Sequence, residues 1–259
     1  MSRTDGRSLI IHCTARTELD RSSERPSDPP LAGEVHLWWS TLDRLRPSRE
    51  KWASLLDPTE SQRAERFRAE RDRERFILGH GLLRIVLGHY LRLHPQDVRM
   101  ARGVHGKPFV ENTGLTFNFS DTKDAVLIGL TTGAEIGVDI ETDHRDVDHE
   151  AVSAHYFTRP EIETIRKAGP AANRQFLQLW TRKEAVLKAS GVGIMEDLRS
   201  LRVDGMRNSI LINHEAFMRM AAPEYHVVSM APDQHHWASL AMPHPPVDVR
   251  WFDAAQWTG

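Results

Sequence analysis

Regular alternation of apolar and polar residues begins at Glu34. In the segment EVHLWWS, which starts there, apolar side chains recur at every second position, the period of a β-strand with one buried face. The preceding residues 14–33 are rich in Arg, Ser, Glu, Asp and Pro, and bury too little apolar surface to offset the entropy lost on ordering. The pattern therefore predicts a flexible N-terminal tail over residues 1–33 and a fold that starts at Glu34.

Helical periodicity dominates two later stretches. Residues 61–93 carry apolar faces interrupted by glycines and predict one or two long helices. Arg159-Pro160 predicts a helix start, because proline fits the first helical turn. A further helix is predicted from about Asn173 to Ser190, with Gly191 as its C-terminal stop.

Short strands are predicted around these helices. They lie at Thr116–Ser120, Ala125–Leu130, Ala134–Glu141, Ser209–Asn213, Tyr225–Met230, Trp237–Met242 and Val247–Trp251. Helices and strands occur on both sides of residue 133, so we predict an α/β (α+β) protein with two similar halves related by pseudo-twofold symmetry. The N-terminal half would span 34–133 and the C-terminal half 134–259, with the active site in the cleft between them.

Composition narrows the class of protein. The chain has 34 basic and 36 acidic residues and a single cysteine, Cys13, which excludes an intramolecular disulfide. No apolar run approaches the roughly 20 residues needed to span a bilayer. Six arginines between residues 61 and 76 are interleaved with acids, which favours a salt-bridged surface over a nucleic-acid interface. We expect a cytoplasmic monomer that binds neither nucleic acid nor membrane.

Two acidic residues alternate with apolar ones in Gly-Val-Asp-Ile-Glu. On a strand, Asp139 and Glu141 project from the same face. Neighbouring carboxylates repel each other unless a cation lies between them, and oxygen ligands of this kind suit Mg²⁺. Taken alone, the pair is more typical of an ordinary strand with its polar face in water.

A second set of polar residues occurs in Trp-Thr-Arg-Lys-Glu-Ala-Val-Leu-Lys. Glu184 and Lys188 lie one helical turn apart on one face. The glutamate could bind a metal ion or accept a proton, and the lysine could neutralise a phosphate group. The same spacing is also favoured for a plain solvated ion pair.

Together, these motifs resemble a known enzyme family. GVDIE followed by WTRKEAVLKASG, with the weaker GKP at Gly106–Pro108 and FNFS at Phe117–Ser120, is similar to the Sfp-type 4′-phosphopantetheinyl transferases. The resemblance covers about residues 63–193. It implies Mg²⁺-dependent transfer of the phosphopantetheine arm of coenzyme A to a serine of an acyl or peptidyl carrier protein, in fatty-acid, polyketide or nonribosomal-peptide biosynthesis. Adenosine 3′,5′-bisphosphate would be the leaving group.

The resemblance also implies roles for individual residues. Asp139, Glu141 and Glu184 would be the Mg²⁺ ligands, Glu184 would deprotonate the carrier serine directly or through water, and Lys188 would contact the pyrophosphate. The residues expected to contact coenzyme A are Arg63, Arg75, Lys107, Pro108, Ser120, Asp121, Thr122, Lys183 and Lys188.

One residue departs from the family pattern. Many relatives have histidine after FNFS, whereas this chain has Asp121, whose negative charge would repel a pyrophosphate. We expect Asp121 to point away from the site. Two alternative functions of the protein stay open. One is a coenzyme A-binding homologue with impaired turnover, and the other is a different Mg²⁺-dependent phosphoryl-transfer enzyme. The absence of a Gly-rich phosphate loop disfavours the second.

Overall fold

The protein is described by a computed structural model that covers residues 6–145, 147–193 and 198–257. Within these residues the strands are β1 (Arg7–Arg16), β2 (Asp20–Ser22), β3 (Glu34–Thr41), β4 (Ala101–Arg102), β5 (Pro108–Phe109), β6 (Leu115–Asp121), β7 (Ala125–Thr132), β8 (Gly137–Thr142), β9 (Arg207–Ile212), β10 (Glu224–Met230), β11 (His236–Met242) and β12 (Asp248–Asp253). The α-helices are α1 (Leu42–Leu45), α2 (Arg49–Ala53), α3 (Pro58–Glu65), α4 (Glu70–Leu91), α5 (His149–Tyr156), α6 (Arg159–Lys167), α7 (Ala172–Ser190) and α8 (Glu215–Met220). Short 3₁₀ turns lie at Arg46–Ser48, Pro95–Asp97, Gly169–Ala171, Leu198–Ser200 and Ala254–Trp257.

Two five-stranded sheets form the centre of the molecule. The first has the order β8-β11-β10-β1-β9 and the second β2-β12-β3-β7-β6. Helix α7 packs on the first sheet, and α4 packs on the second through a core that includes Leu82 and Phe117. A further core, which includes Leu37 and Val138, lies between the two sheets. The layers therefore run helix, sheet, sheet, helix, and the predicted α/β class is confirmed; the twofold relation between the halves stays a prediction.

The N-terminal segment differs from the predicted tail. Residues Arg7–Arg16 form β1, which lies inside the first sheet between β10 and β9. Ile11 and Cys13 are buried, and the strand runs parallel to β10. The tail was predicted from the composition of residues 14–33, whereas the strand lies mostly before them, in a stretch that includes Leu9, Ile10 and Ile11. Pairing with strands about 200 positions later supplies the hydrogen bonds and burial that the local sequence lacks.

The predicted boundaries between the halves also differ from the structure at both ends of the chain. Strand β1 belongs to the sheet of the C-terminal half, whereas β12, near the C-terminus, pairs with β3 in the sheet of the N-terminal half. Each sheet is therefore completed by a strand from the opposite end of the chain. The division into 34–133 and 134–259 is wrong for these strands, because strand pairing is not restricted to neighbours in sequence.

Several local predictions are confirmed. The helical region 61–93 contains two helices, with α3 begun by a capping box in which the Asp57 side chain accepts from the Glu60 N–H. Helix α7 ends at Gly191, whose φ of 68° is left-handed. Helix α5 was missed, because its eight residues carry little periodicity. Among the described residues, no helix is long and apolar enough to cross a membrane.

Gly137 at the start of β8 allows an unusually close approach to α7. A Cβ atom at this position would lie 2.1 Å from the Ala185 carbonyl oxygen and 2.3 Å from the Ala189 amide nitrogen. Both of these atoms belong to the helix backbone, which cannot move away as a side chain could. The absence of a side chain at Gly137 therefore sets the distance between β8 and the helix that carries Glu184 and Lys188.

We expect Gly137→Ala to lower the free energy of unfolding by about 3 kcal/mol, because the added methyl group would push α7 away from β8. Urea denaturation measures this change. Gly114→Ala is the matched control, since its Cβ would meet no atom closer than 3.6 Å. Equal stability of the two variants would contradict the close packing of α7 on β8.

Candidate active site

The candidate site lies where two edge strands meet. Strand β8 is at the edge of the first sheet and β6 at the edge of the second. The Asn118 side-chain oxygen accepts a hydrogen bond from the Val138 N–H at 2.8 Å, and Ser120 Oγ donates to Asp139 Oδ1 at 2.8 Å. Polar side chains from β6 thus satisfy groups on the open edge of β8, where no further strand pairs.

Thr122 extends this pattern by a third step. Its Oγ1 donates to Glu141 Oε2 at 2.9 Å. Asn118, Ser120 and Thr122 alternate along the chain, so a single face of the β6 segment contacts β8. The segment that resembles the family motif therefore holds the two acids of β8 in place, which its sequence did not predict.

Lys188 joins this contact region from α7. Its Nζ donates to Asp139 Oδ1 at 2.6 Å and to Ser120 Oγ at 2.9 Å. Asp139 is buried, and its second oxygen, Oδ2, is buried without a hydrogen-bond partner among the described residues. A buried carboxylate oxygen with no donor is costly, and such a group has unused capacity to bind a cation or a proton.

Burial and neighbouring negative charge raise the pKa of two carboxyl groups in this region. Burial raises the pKa of Glu184 to about 7, and the negative charges of Asp139 and Glu141 add to the shift while Lys188 opposes it. Burial and the charge of Asp139 also raise the pKa of Glu141. Burial alone would lower the pKa of Lys188, but Asp139 outweighs that effect and keeps the lysine protonated. The region carries more negative charge than its single lysine neutralises.

The carboxylates of Asp139, Glu141 and Glu184 are ligands of the type that a hard divalent cation prefers. Three carboxylates supply oxygen ligands of the type that Mg²⁺ binds, and Asp139 Oδ2 has no other partner. Their oxygens do not all approach within 4.8 Å of one another. Arg145 Nη1 contacts Glu141 at 3.0 Å, and Lys188 contacts Asp139. These two cations partly neutralise the acids in the arrangement that the structure shows.

A basic cleft lies beside the acids. Its volume is about 450 Å³, and we call it the arginine cleft; it is lined by Arg71, Asp72, Arg75, Asp121, Thr122, Lys123 and Arg145. Four of these side chains are basic and two are acidic. The cleft therefore suits an anionic group such as a phosphate.

Two sequence expectations about this cleft need correction. Arg63, which was expected to contact coenzyme A, is not among the residues that line this cleft. It lies on α3, with its guanidinium carbon 5.1 Å from the Phe76 ring centroid. Asp121 does not point away, since it lines the cleft and contacts Arg75 Nε at 2.9 Å. Burial raises the pKa of Asp121, while Arg75 and Lys188 lower it. The ion pair with Arg75 explains why a carboxylate is tolerated among the basic residues of this cleft.

A second cleft is lined by Lys188. Its volume is about 270 Å³, and we call it the lysine cleft; its lining includes His105, Lys107, Pro108, Phe119, Glu184, Leu187 and Lys188. Lys107 donates to Glu135 Oε2 at 2.6 Å and to the Ile136 carbonyl at 3.0 Å. The structure therefore brings Lys107 and Pro108 together with the two predicted residues of α7.

Lys183 does not reach either cleft. It is fully buried in the core under the first sheet, where its Nζ lies 3.0 Å from Glu161 Oε2 and donates to the carbonyls of Leu198 and Leu201. The prediction of a coenzyme A contact at Lys183 is wrong. A helical residue next to Glu184 is rotated by about 100° from it, so the two cannot face the same cleft.

Two further basic residues were missed by the sequence analysis. Arg71 precedes Arg75 by one helical turn on α4, so helical periodicity could have identified it as a neighbour on the same face. Arg145 lies in the loop after β8, and its side chain donates a hydrogen bond to the Glu141 carboxylate. Nothing in the local sequence indicated that contact.

The raised pKa of Glu184 predicts a pH-dependent cost to stability. Between its usual value of 4.5 and about 7, the folded protein holds a proton that the unfolded chain has lost. Wild-type stability should therefore fall relative to Glu184→Gln as pH rises through this window. We expect the free energy of unfolding of Glu184→Gln, relative to wild type, to be about 2 kcal/mol higher at about pH 8 than at about pH 5. Urea unfolding in the presence of a chelator measures both differences.

Glu163→Gln is the control for this experiment, because it removes an exposed carboxylate on α6, outside the site. Its stability relative to wild type should change little between the two pH values. A difference between wild type and Glu184→Gln that does not depend on pH would contradict the assigned environment of Glu184.

Comparison with known proteins gives matches over most of the chain. A family described as "4'-phosphopantetheinyl transferase superfamily" matches residues 135–239, and one described as "4'-phosphopantetheinyl transferase, N-terminal" matches residues 43–132. The chain is 32% identical to 4'-phosphopantetheinyl transferase HetI of Nostoc sp., over 82% of this chain and 89% of that protein. It is 27% identical to 4'-phosphopantetheinyl transferase Sfp of Bacillus subtilis, over 60% of this chain and 68% of that protein.

These matches confirm the family resemblance read from GVDIE and WTRKEAVLKASG. The two matched regions join close to residue 133, where the sequence analysis placed the boundary between the halves. The motifs on β8 and α7 lie inside the first of them. The chain belongs to the 4′-phosphopantetheinyl transferase superfamily and is an enzyme of that type.

Proposed function

We propose that this enzyme transfers the 4′-phosphopantetheine moiety of coenzyme A to a serine hydroxyl of an apo acyl or peptidyl carrier protein. Adenosine 3′,5′-bisphosphate is the second product, and the reaction depends on Mg²⁺. The observation that carries the proposal is that Asp139, Glu184 and Lys188 lie close together, with Glu184 and Lys188 lining the lysine cleft. The names of the relatives, which are phosphopantetheinyl transferases, support the same reaction.

Asp139, Glu141 and Glu184 are the residues that would hold Mg²⁺. When bound, the ion supplies positive charge to the pyrophosphate oxygens and offsets the repulsion among the three carboxylates. Asp139 Oδ2 is the oxygen with no competing donor among the described residues. Lys188 contacts the other oxygen of Asp139, and Arg145 contacts both oxygens of Glu141.

Glu184 is the group proposed to accept the serine proton, directly or through water. Glu184 lines the lysine cleft, and a carboxylate within hydrogen-bond reach of a hydroxyl can act as a general base. The serine oxygen forms a bond to the β-phosphorus of coenzyme A, and the bond from that phosphorus to the bridging oxygen breaks. The electron pair leaves with the adenosine bisphosphate.

Lys188 is positioned to neutralise charge on the departing phosphate. Its protonated state is maintained by Asp139, and its side chain lines the lysine cleft. Such a fixed positive charge stabilises a transition state without reorganisation when the reaction occurs. Ser120 donates to Asp139 and accepts from Lys188, and its contact with coenzyme A stays a prediction.

The arginine cleft is proposed to hold the 3′-phosphate of the nucleotide. Arg71 has an exposed side chain, so a phosphate can reach it without breaking a buried ion pair. Arg75 contacts Asp121 and would share its guanidinium between that carboxylate and the phosphate. This arrangement weakens the case for an inactive coenzyme A-binding homologue, since Asp121 already has a cationic partner.

Removal of the site carboxylates should abolish transfer. We expect Asp139→Asn and Glu184→Gln to reduce the rate to background, and Lys188→Ala to slow it by about 10²- to 10³-fold. The measurement is the gain of a phosphopantetheine group by an apo carrier protein incubated with coenzyme A and Mg²⁺, followed by mass spectrometry.

Glu163→Gln again serves as the control and should retain wild-type turnover. Near-normal transfer by Glu184→Gln, with circular dichroism showing an intact fold, would remove the proposed roles of that residue. No mass gain with the wild-type protein on any carrier, despite coenzyme A binding, would support the impaired homologue instead.

Truncation of the substrate tests the arginine cleft. We expect Arg71→Gln and Arg75→Gln each to lower kcat/KM for coenzyme A by about 10-fold, and to change kcat/KM for 3′-dephospho-coenzyme A little. Arg63→Gln is the matched control, because Arg63 contacts Phe76. Equal losses with both substrates would show that Arg71 and Arg75 do not bind the 3′-phosphate.

A further inference from the structure

Two histidines and a glutamate lie together on the first sheet, away from the candidate active site. His12 is on β1, and Glu224 and His226 are on the neighbouring strand β10. The parallel register places His12 beside His226 and Ile10 beside Glu224, so the three polar side chains share one face. Two strands separate β1 from β8, a distance of roughly 14 Å at the usual strand spacing.

The geometry of this cluster is close. His12 Nε2 lies 2.7 Å from Glu224 Oε1, and His226 Nε2 lies 3.3 Å from the same oxygen. The two imidazole rings are parallel within 6°, with centroids 4.8 Å apart. One ligand atom from each residue lies within 4.8 Å of the others. Ligand atoms around a tetrahedral Zn²⁺ with bonds of about 2.0–2.1 Å are separated by about 3.4 Å. The 3.3 Å between His226 Nε2 and Glu224 Oε1 fits this spacing, and the 2.7 Å hydrogen-bond contact of His12 would lengthen when an ion binds.

The three side chains are partly exposed, at 30% for His12, 41% for Glu224 and 22% for His226. An ion can therefore reach them from solvent. His244 lies near enough to His226 to act on it electrostatically, which places a third imidazole in the vicinity of the cluster.

We propose that His12, Glu224 and His226 form a binding site for Zn²⁺ or a divalent cation of similar ligand preference. Imidazole nitrogens select such ions, whereas the all-carboxylate set of the transferase site suits Mg²⁺. Three protein ligands leave a fourth position for water or for His244.

The site would connect β1 to β10, two strands about 200 positions apart in the sequence. Because the ligands meet only after β1 has been placed in the sheet, cation binding stabilises the folded state over the unfolded chain. The N-terminal strand, which pairs with β9 and β10, is the element that this link would hold in place. The proposed role is structural and does not involve the transfer reaction.

A second cluster in the described part of the chain could also bind the added Zn²⁺. Asp143, His144 and His235 also bring ligand atoms within 4.8 Å of one another. There His144 Nδ1 contacts Asp124 at 2.5 Å, and His144 is exposed on a loop. The experiment must therefore distinguish the two clusters, which a pair of matched His→Gln variants does.

The test is calorimetric titration of the untagged full chain with Zn²⁺ in excess Mg²⁺, which occupies hard oxygen sites. We expect one equivalent of Zn²⁺ to bind with a Kd below about 10 μM and to raise Tm by about 5 °C at saturation. His12→Gln and His226→Gln should each weaken Zn²⁺ binding by about 100-fold, since even loss of an outer partner costs 10- to 100-fold. His235→Gln should bind as the wild type does.

Transfer activity in Mg²⁺ should be unchanged in the His12 and His226 variants, which also reports that they fold. Weakened binding in His235→Gln alone, equal binding in all three variants, or no wild-type binding in this range would each overturn the proposal. Because two separate variants probe the same site, failure of one to fold leaves the other as the test.

Discussion

The contact between the edge strands β6 and β8 determines the rest of the candidate site. Asn118, Ser120 and Thr122 bond to β8 at successive steps, and Ser120 also receives a hydrogen bond from Lys188 on α7. Two sheets and one helix therefore meet through a short set of polar contacts. Buried polar groups of this kind are stable only when each has a partner, so they fix the relative positions of the three elements.

The same region carries an electrostatic conflict. Burial and mutual repulsion raise the pKa values of Glu184 and Glu141, and one oxygen of Asp139 has no donor among the described residues. A protein selected for stability alone would replace such groups. Their retention is explained by the proposed reaction, which needs a cation held by carboxylates and a base that titrates near neutral pH.

The strands near the two ends of the chain connect the two halves, because each lies in the sheet of the opposite half. Strand β1 completes the sheet that carries β8, and β12 completes the sheet that carries β6. Separation of the halves would therefore remove a paired strand from each sheet as well as the core between them. This interlocking stabilises the cleft walls on which both the transferase site and its substrate contacts depend.

The sequence by itself determined the local features. Period-two alternation placed Asp139 and Glu141 on one strand face, and period 3.6 placed Glu184 and Lys188 one turn apart; both follow from backbone geometry within a few residues. Tertiary structure alone decided that Arg7–Arg16 is a paired strand, that Lys183 is buried against Glu161, and that Asp121 contacts Arg75. Each of these depends on a partner distant in sequence, and local periodicity carries no information about which distant group supplies the hydrogen bond or the opposite charge.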